Sequence, residues 1–374
     1  MGCDYIALAN PGVQGLQPYQ PGKPVSEVAR ELGLEESAIV KLASNENPLG
    51  PSQRAVDAMA RAVGDLARYP DGNGFALKAA LSAKYGVAAE CFTLGNGSND
   101  VLELVARAYV APGDEVIFSE HAFAVYPIVT LGVGGVPVVA PAQDWGHDLA
   151  AMAGRISDKT RVIFIANPNN PTGTWLKRDA LQAFLDSVPE HIIVVLDEAY
   201  CEYVDEVEYP NGLLWLERYP NLVVTRTFSK LYGLAGLRIG YAVAGAAITN
   251  VLNRIRQPFN VNSVAMEAAL AVLEDDAYLA RSRQVNAEGL RQLEAGLSGL
   301  GLVWIPSIGN FITFDTGGNA NGIFDRLLQR GVIVRPIAAY GMPSHLRVSV
   351  GTEAENQQFL DALSAVLKEI ADGG

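Results

Sequence analysis

The chain has 374 residues, 49% of them hydrophobic and 18% charged, which excludes a disordered protein and leaves room for two domains. A net charge of −13 argues against nucleic acid or an anionic membrane as a partner. An anionic substrate would therefore need a local cluster of arginines.

Residues 1–45 are rich in proline and glycine and read as an N-terminal arm, with a short amphipathic helix over 25–32. The opening residues carry neither a basic leader nor a long apolar core, and Ile6 stands where a myristoylation signal needs Ser or Thr. The polar segment from Lys41 to Pro51 is an irregular loop ahead of a helix over 53–63. A second turn-rich loop, Arg68-Tyr69-Pro70-Asp71-Gly72-Asn73-Gly74, precedes a helix over 75–85. The segment from Leu94 to Asp100 then leads into a helix over 101–109. A glycine-rich turn opening a helix offers N–H groups and a positive dipole end to an anion. A plain N-cap by Ser98 or Asn99 explains the same residues.

Apolar runs at 115–118, 136–139, 161–166, 192–196, 222–225 and 239–243 read as buried strands. Helical stretches at 123–130, 179–188 and 263–273 separate several of them. Continuous apolar strands between helices indicate an α/β fold with a mostly parallel sheet covered on both faces. Ligands collect at the carboxyl ends of such strands. The polar segments fall there: His121 to Phe123, Asn167 to Gly173, Asp197 to Tyr200, and Ser229-Lys230. Beyond residue 265 come a long helix over 277–300, strands at 310–314, 332–335 and 346–349, and helices at 321–329 and 354–370. The expected division is an arm (1–45), a large domain (46–265) and a small α+β domain (266–374). Cys3, Cys91 and Cys201 have no disulfide or metal spacing and read as reduced thiols of a cytoplasmic protein. The four histidines likewise show no metal spacing.

The chemistry centres on Lys230, in the stretch from Val223 to Tyr241. A lysine held on a loop between packed strands can form a Schiff base with an aldehyde. The hydroxyls of Thr227 and Ser229 and the guanidinium of Arg238 suit a phosphate beside it. The order Asn170-Pro171-Thr172-Gly173, Asp197-x-x-Tyr200, Ser229-Lys230 and Arg238, eight residues past the lysine, resembles the fold-type-I pyridoxal-phosphate aminotransferases. The likeness runs over essentially the whole chain.

That resemblance implies pyridoxal 5′-phosphate as cofactor and a seven-stranded type of sheet in the large domain. It implies Asp197 beside the ring nitrogen, where a buried carboxylate favours the protonated ring. Tyr200 and Asn170 would donate to the cofactor's phenolic oxygen. Phe123 matches the ring-stacking position, with a core aromatic as the competing reading. Gly97, Ser98 and Asn99, with Thr227, Ser229 and Arg238, would hold the phosphate. Tyr69 matches a tyrosine that reaches the phosphate from a neighbouring subunit, which implies a homodimer with shared sites.

Several segments resemble histidinol-phosphate aminotransferases in particular: Pro18 to Lys23, Lys41 to Pro48, Arg68 to Gly72, Val334-Arg335-Pro336, and Leu346 to Gly351. Such an enzyme uses a phosphorylated amino alcohol in one half-reaction and glutamate or 2-oxoglutarate in the other. Arg335 and Arg347 suit both anions, and Tyr19 and Asn47 are further substrate-binding candidates. Competing readings are an aromatic or other amino-acid aminotransferase, a decarboxylase of a threonine-phosphate type, and a non-catalytic ligand sensor. The last wants a basic DNA-binding module, which the arm does not offer.

Overall fold

The computed structural model describes residues 3–18 and 22–373. A seven-stranded sheet forms the centre of the larger part. Its spatial order is Phe92–Gly95, Gly240–Ala244, Leu222–Thr227, Ile193–Asp197, Thr160–Ala166, Glu115–Ser119 and Val136–Ala140. Only Gly240–Ala244 runs against its neighbours. The continuous apolar runs are explained by burial of both faces. Along Thr160–Ala166, Ile163 and Ile165 enter one core while Val162 and Phe164 enter the other. Successive side chains of a strand point to opposite faces, so both must be apolar when helices cover both.

Two expectations about the sheet need correction. The run at 136–139 is an edge strand whose Val136 and Val139 are exposed, because it has one neighbour and thin cover. The segment at Leu94 is not only a loop: Phe92–Gly95 is a buried edge strand paired with Gly240–Ala244. Four residues are too few to show a period. The helix Ala246–Ile255 was also missed.

The helices Phe75–Tyr85 and Ser263–Leu273 have the bounds read from their spacing. The helix Ser98–Tyr109 begins directly after Gly97, earlier than expected. The 24-residue helix Asp276–Gly299 leads to the second core. There the strands Trp304–Ile305, Phe311–Asp315, His345–Ser349 and Arg335–Pro336 form an antiparallel sheet. The stretch expected as one strand over 332–335 is split. Val332–Ile333 pairs in parallel with Val40–Lys41, while Arg335–Pro336 joins the small sheet. The arm is thus tied in by backbone pairing, and its helix Val25–Leu32 buries Val28 and Ala29 against Ile39, Ala43 and Ile333.

Candidate active site

The carboxyl ends of the central strands, the segment Ala43–Glu46 and the small sheet enclose a cavity of about 370 Å³. Strand ends expose polar residues because the backbone leaves the ladder there and the apolar pattern stops.

Lys230 follows the buried strand Leu222–Thr227. Its loop is closed by the Phe228 N–H donating to Ile239 O (3.1 Å), the Leu234 N–H to Phe228 O (3.0 Å) and the Gly233 N–H to Lys230 O (3.0 Å). The amine donates to the carbonyls of Asn45 (3.2 Å) and Ser44 (3.3 Å) and lies 5.4 Å from the Tyr200 ring centroid. Burial, reinforced by the Arg347 guanidinium, lowers its pKa to about 7, against the pull of Glu46. A neutral amine, the nucleophilic form, is therefore well populated at neutral pH.

Asp197 ends the next strand and is 4% exposed. It accepts from Thr225 Oγ1 and Tyr126 Oη, each at 2.9 Å. Tyr126 is itself fixed by stacking on Phe164, with centroids 4.7 Å apart and planes at 3°. Burial pushes the carboxyl up to about 6 despite those two hydrogen bonds. Tyr200 receives a hydrogen bond from Asn45 Nδ2 (3.0 Å), and burial raises its phenol to about 12, so it stays a neutral donor.

Behind this row lies an ion pair, Arg226 with Glu198, 7% and 0% exposed at their side chains. Arg226 Nε and Nη2 donate to Glu198 Oε2 at 2.9 and 2.6 Å, and the Gly212 N–H donates to Oε1 at 2.8 Å. Removing either partner would strand a buried charge.

Thr227, Ser229, Arg238, Ser98 and Asn99 meet at one end of the cavity. Thr227 Oγ1 donates to Ser229 Oγ (3.0 Å), and Arg238 Nη1 donates to the same oxygen (3.3 Å). The first N–H groups of a helix have no carbonyl partner within the helix, so the head of Ser98–Tyr109 adds donors here. Gly97 has φ +84°, and a Cβ on it would stand 2.3 Å from Arg238 Nη2. Only glycine lets the guanidinium close over this turn.

On the opposite wall, Arg335 and Arg347 are direct cross-strand partners. Like charges facing each other across a strand pair repel, so the arrangement favours an anion between them. Arg347 is buried, donates to Asn170 Oδ1 and to Ala43 O (2.9 Å), and lies over the Phe311 ring. That contact uses the carbonyl end of the Asn170 amide and leaves its NH₂ end as a donor.

The cavity gathers Ser98, Asn99, Phe123, Asn170, Asp197, Tyr200, Thr227, Ser229, Lys230, Arg238, Arg335 and Arg347, so these candidates are brought together. Tyr69 is not among them. It is 81% exposed and stacked on Phe259 at 4.7 Å. Asn47 does not line the cavity either. Its Nδ2 donates to Leu231 O (2.8 Å), Tyr278 Oη (3.1 Å) and Ser282 Oγ (3.1 Å), so it ties the loop to the long helix. Tyr19 lies outside the described residues.

Sequence reasoning missed Asn45, which sits at φ +53° and holds Tyr200. Asparagine tolerates that conformation, which was the available signal. It also missed Tyr126, one helical turn past Phe123, and Thr225, on the same strand face as Thr227.

The residues fit the pyridoxal phosphate implied above. The cavity offers a phosphate cradle at one end and a neutralisable amine at its centre. It also offers a buried carboxylate held by uncharged hydroxyl donors, which a protonated ring nitrogen would match. Among the described residues no cluster of three or more His, Cys, Asp or Glu could hold a metal ion, and no helix is long and apolar enough to cross a membrane.

The family model "Aminotransferase class I and II" matches residues 37–363. Histidinol-phosphate aminotransferase 2 of Pseudomonas fluorescens is 61% identical over 98% of this chain and 99% of its own length. The protein of the same name from Pseudomonas aeruginosa is 59% identical over 97% and 99%. The crystal structure of histidinol-phosphate aminotransferase from Sinorhizobium meliloti, in complex with pyridoxal-5′-phosphate, superposes with a TM-score of 0.88. It is 29% identical and covers 97% of this chain and 98% of its own.

Proposed function

The chain belongs to the class I and II aminotransferases, and from that premise we propose that it transfers the amino group of L-histidinol phosphate to 2-oxoglutarate. The products are imidazole-acetol phosphate and glutamate, a step of histidine biosynthesis. The observation that carries this reading is the cross-strand pair Arg335 and Arg347 on the cavity that also holds the Lys230 amine and the Asp197 carboxylate. Two guanidinium forks accept a phosphate dianion in one half-reaction and the carboxylates of glutamate in the other.

Pyridoxal 5′-phosphate, when bound, supplies an aldehyde for amines and an electron sink for the substrate's Cα. Gly97, Ser98, Asn99, Thr227, Ser229 and Arg238 hold its phosphate. Asp197 holds a proton at the ring nitrogen, kept in place by Tyr126 and Thr225. Tyr200 and Asn170 donate to the phenolic oxygen, and Phe123 covers a ring face. Lys230 Nζ, with a pKa of about 7, takes the proton from the substrate Cα and delivers it onward as general base and acid. The work is done by a homodimer, in which Tyr69 serves the phosphate site of the second copy. The exposure of Tyr69 and its stack on Phe259 support that role.

The test is a single-turnover spectrum of cofactor-loaded enzyme with histidinol phosphate, phenylalanine, glutamate and threonine phosphate in turn. Rapid bleaching of the yellow band by histidinol phosphate, far faster than by phenylalanine, is the expected result. Preference for phenylalanine would move the enzyme to the aromatic aminotransferases. Carbon dioxide released from threonine phosphate without bleaching would make it a decarboxylase.

A further inference from the structure

Trp175, two residues past the Asn170–Gly173 turn, has no part in the site above. It lines a second cleft of about 520 Å³ on the far side of that turn. Three of the chain's four tryptophans, Trp145, Trp175 and Trp304, face this one cleft, together with Asp144, Asp315 and His345. Among the described residues, no lysine or arginine lines it.

Trp145 is placed there by a strained turn. Asp144 (φ +49°) and Trp145 (φ +66°) are the two central residues of the hairpin joining Ala142–Gln143 to Gly146–His147. Both are left-handed, a geometry that ordinarily selects Asn-Gly. A tryptophan adopts it only where surrounding structure holds it. Its ring meets His345 edge-on, with centroids 4.9 Å apart, and lies 5.3 Å from His121. Even so, Trp145 remains 39% exposed.

Across the cleft, Asp315 and His345 are cross-strand partners in the small sheet. Burial lowers the His345 pKa, so its ring is neutral at mildly alkaline pH. Aromatic faces with carboxylates beside them, and no competing cation, recognise organic cations through the ring quadrupole.

We propose that the cleft framed by Trp145, Trp175, Trp304, Asp144 and Asp315 is a second binding site that takes a small organic cation, an alkylammonium group on a flat ring. The site is separate from the catalytic cavity and stands whatever amine the enzyme transfers. It touches both the loops of the large sheet and the small sheet. The Asn169 N–H₂ donates to Thr172 Oγ1 (2.8 Å), which shares a hydrogen with Thr174 Oγ1 (2.9 Å), linking the cleft to the catalytic turn.

The test uses cofactor-loaded enzyme at about pH 8 with benzyltrimethylammonium as a permanent cation and benzyl alcohol as a neutral ring control. Tryptophan fluorescence reports binding. The expected result is saturable quenching by the cation, with benzyl alcohol about tenfold weaker or more. The double variant Asp144→Asn, Asp315→Asn should weaken the cation about tenfold, and Trp304→Ala should remove saturable binding while aminotransferase activity reports an intact fold. Equal binding of benzyl alcohol, unchanged affinity in the double asparagine variant, or wild-type affinity in Trp304→Ala would overturn the assignment. So would the absence of saturable quenching in the wild type.

Discussion

Asp197→Asn should stabilise the cofactor-free protein while disabling the enzyme. The carboxyl titrates at about 6 instead of 3.8, because it is buried with neutral partners. A pKa difference of one is worth about 1.4 kcal/mol, so burying the charge costs about 3 kcal/mol above the folded pKa. A raised carboxylate pKa favours the protonated form in the fold, so this cost is absent below about pH 4 and grows as pH rises through about 6. Asparagine carries no charge but must turn its NH₂ end toward a hydroxyl or N–H, at a cost of about 1 kcal/mol. The net gain is about 2 kcal/mol at about pH 8, and it shrinks through zero to a loss of up to about 1 kcal/mol below about pH 4. Urea denaturation of the cofactor-free wild type and variant at the two pH values measures it. A variant less stable than wild type at the higher pH, or a gap that ignores pH, would refute the reasoning. In the loaded enzyme the same change should lower kcat about a hundredfold or more.

Glu198→Gln strands the Arg226 charge in a dry site and should destabilise the fold by about 3–5 kcal/mol in urea; a loss under about 1 kcal/mol would mean the pair is hydrated. Reaction of the cofactor-free enzyme with pyridoxal phosphate, followed by stopped-flow absorbance, should speed up as pH rises through about 7 and then level off. The amine is protonated and unreactive below that value, so a rate still climbing at about pH 9 contradicts a lowered Lys230 pKa. Lys230→Ala should abolish both the yellow band and turnover, and a band that survives in this variant removes the lysine from its role. Arg347→Lys keeps the charge but loses the fork to Asn170 and Ala43. It should raise KM for the phosphorylated substrate about tenfold or more, and an unchanged KM would remove Arg347 from substrate binding.

The residues proposed to carry the chemistry stand out in the sequence because each lies in a short, ordered signature. Lys230, Asp197, Tyr200 and Arg238 stand at fixed places after apolar runs, and an apolar run that stops at a polar residue marks a strand end. Helices such as Phe75–Tyr85 and Ser263–Leu273 were legible for a similar local reason: several turns of spacing repeat one face. Asn45 lines the cavity and Asn47 does not, a distinction no local pattern carries, since two asparagines so close in one loop differ only in where the backbone turns them. The four-residue strand Phe92–Gly95 was invisible because its partner, Gly240–Ala244, is remote in sequence.

By itself, then, the sequence determined the α/β class and the family and singled out the lysine proposed for the chemistry, all of which rest on local pattern and chain order. Tertiary structure alone decided how the charges behave and what stands opposite what. Lys230 sits near neutrality and Asp197 near 6 because strands from distant parts of the chain exclude water around them. Arg335 faces Arg347, and Trp145 faces His345, through cross-strand register and a hairpin turn. Desolvation and register are properties of neighbours in space, and neighbours in space are what a linear pattern does not contain.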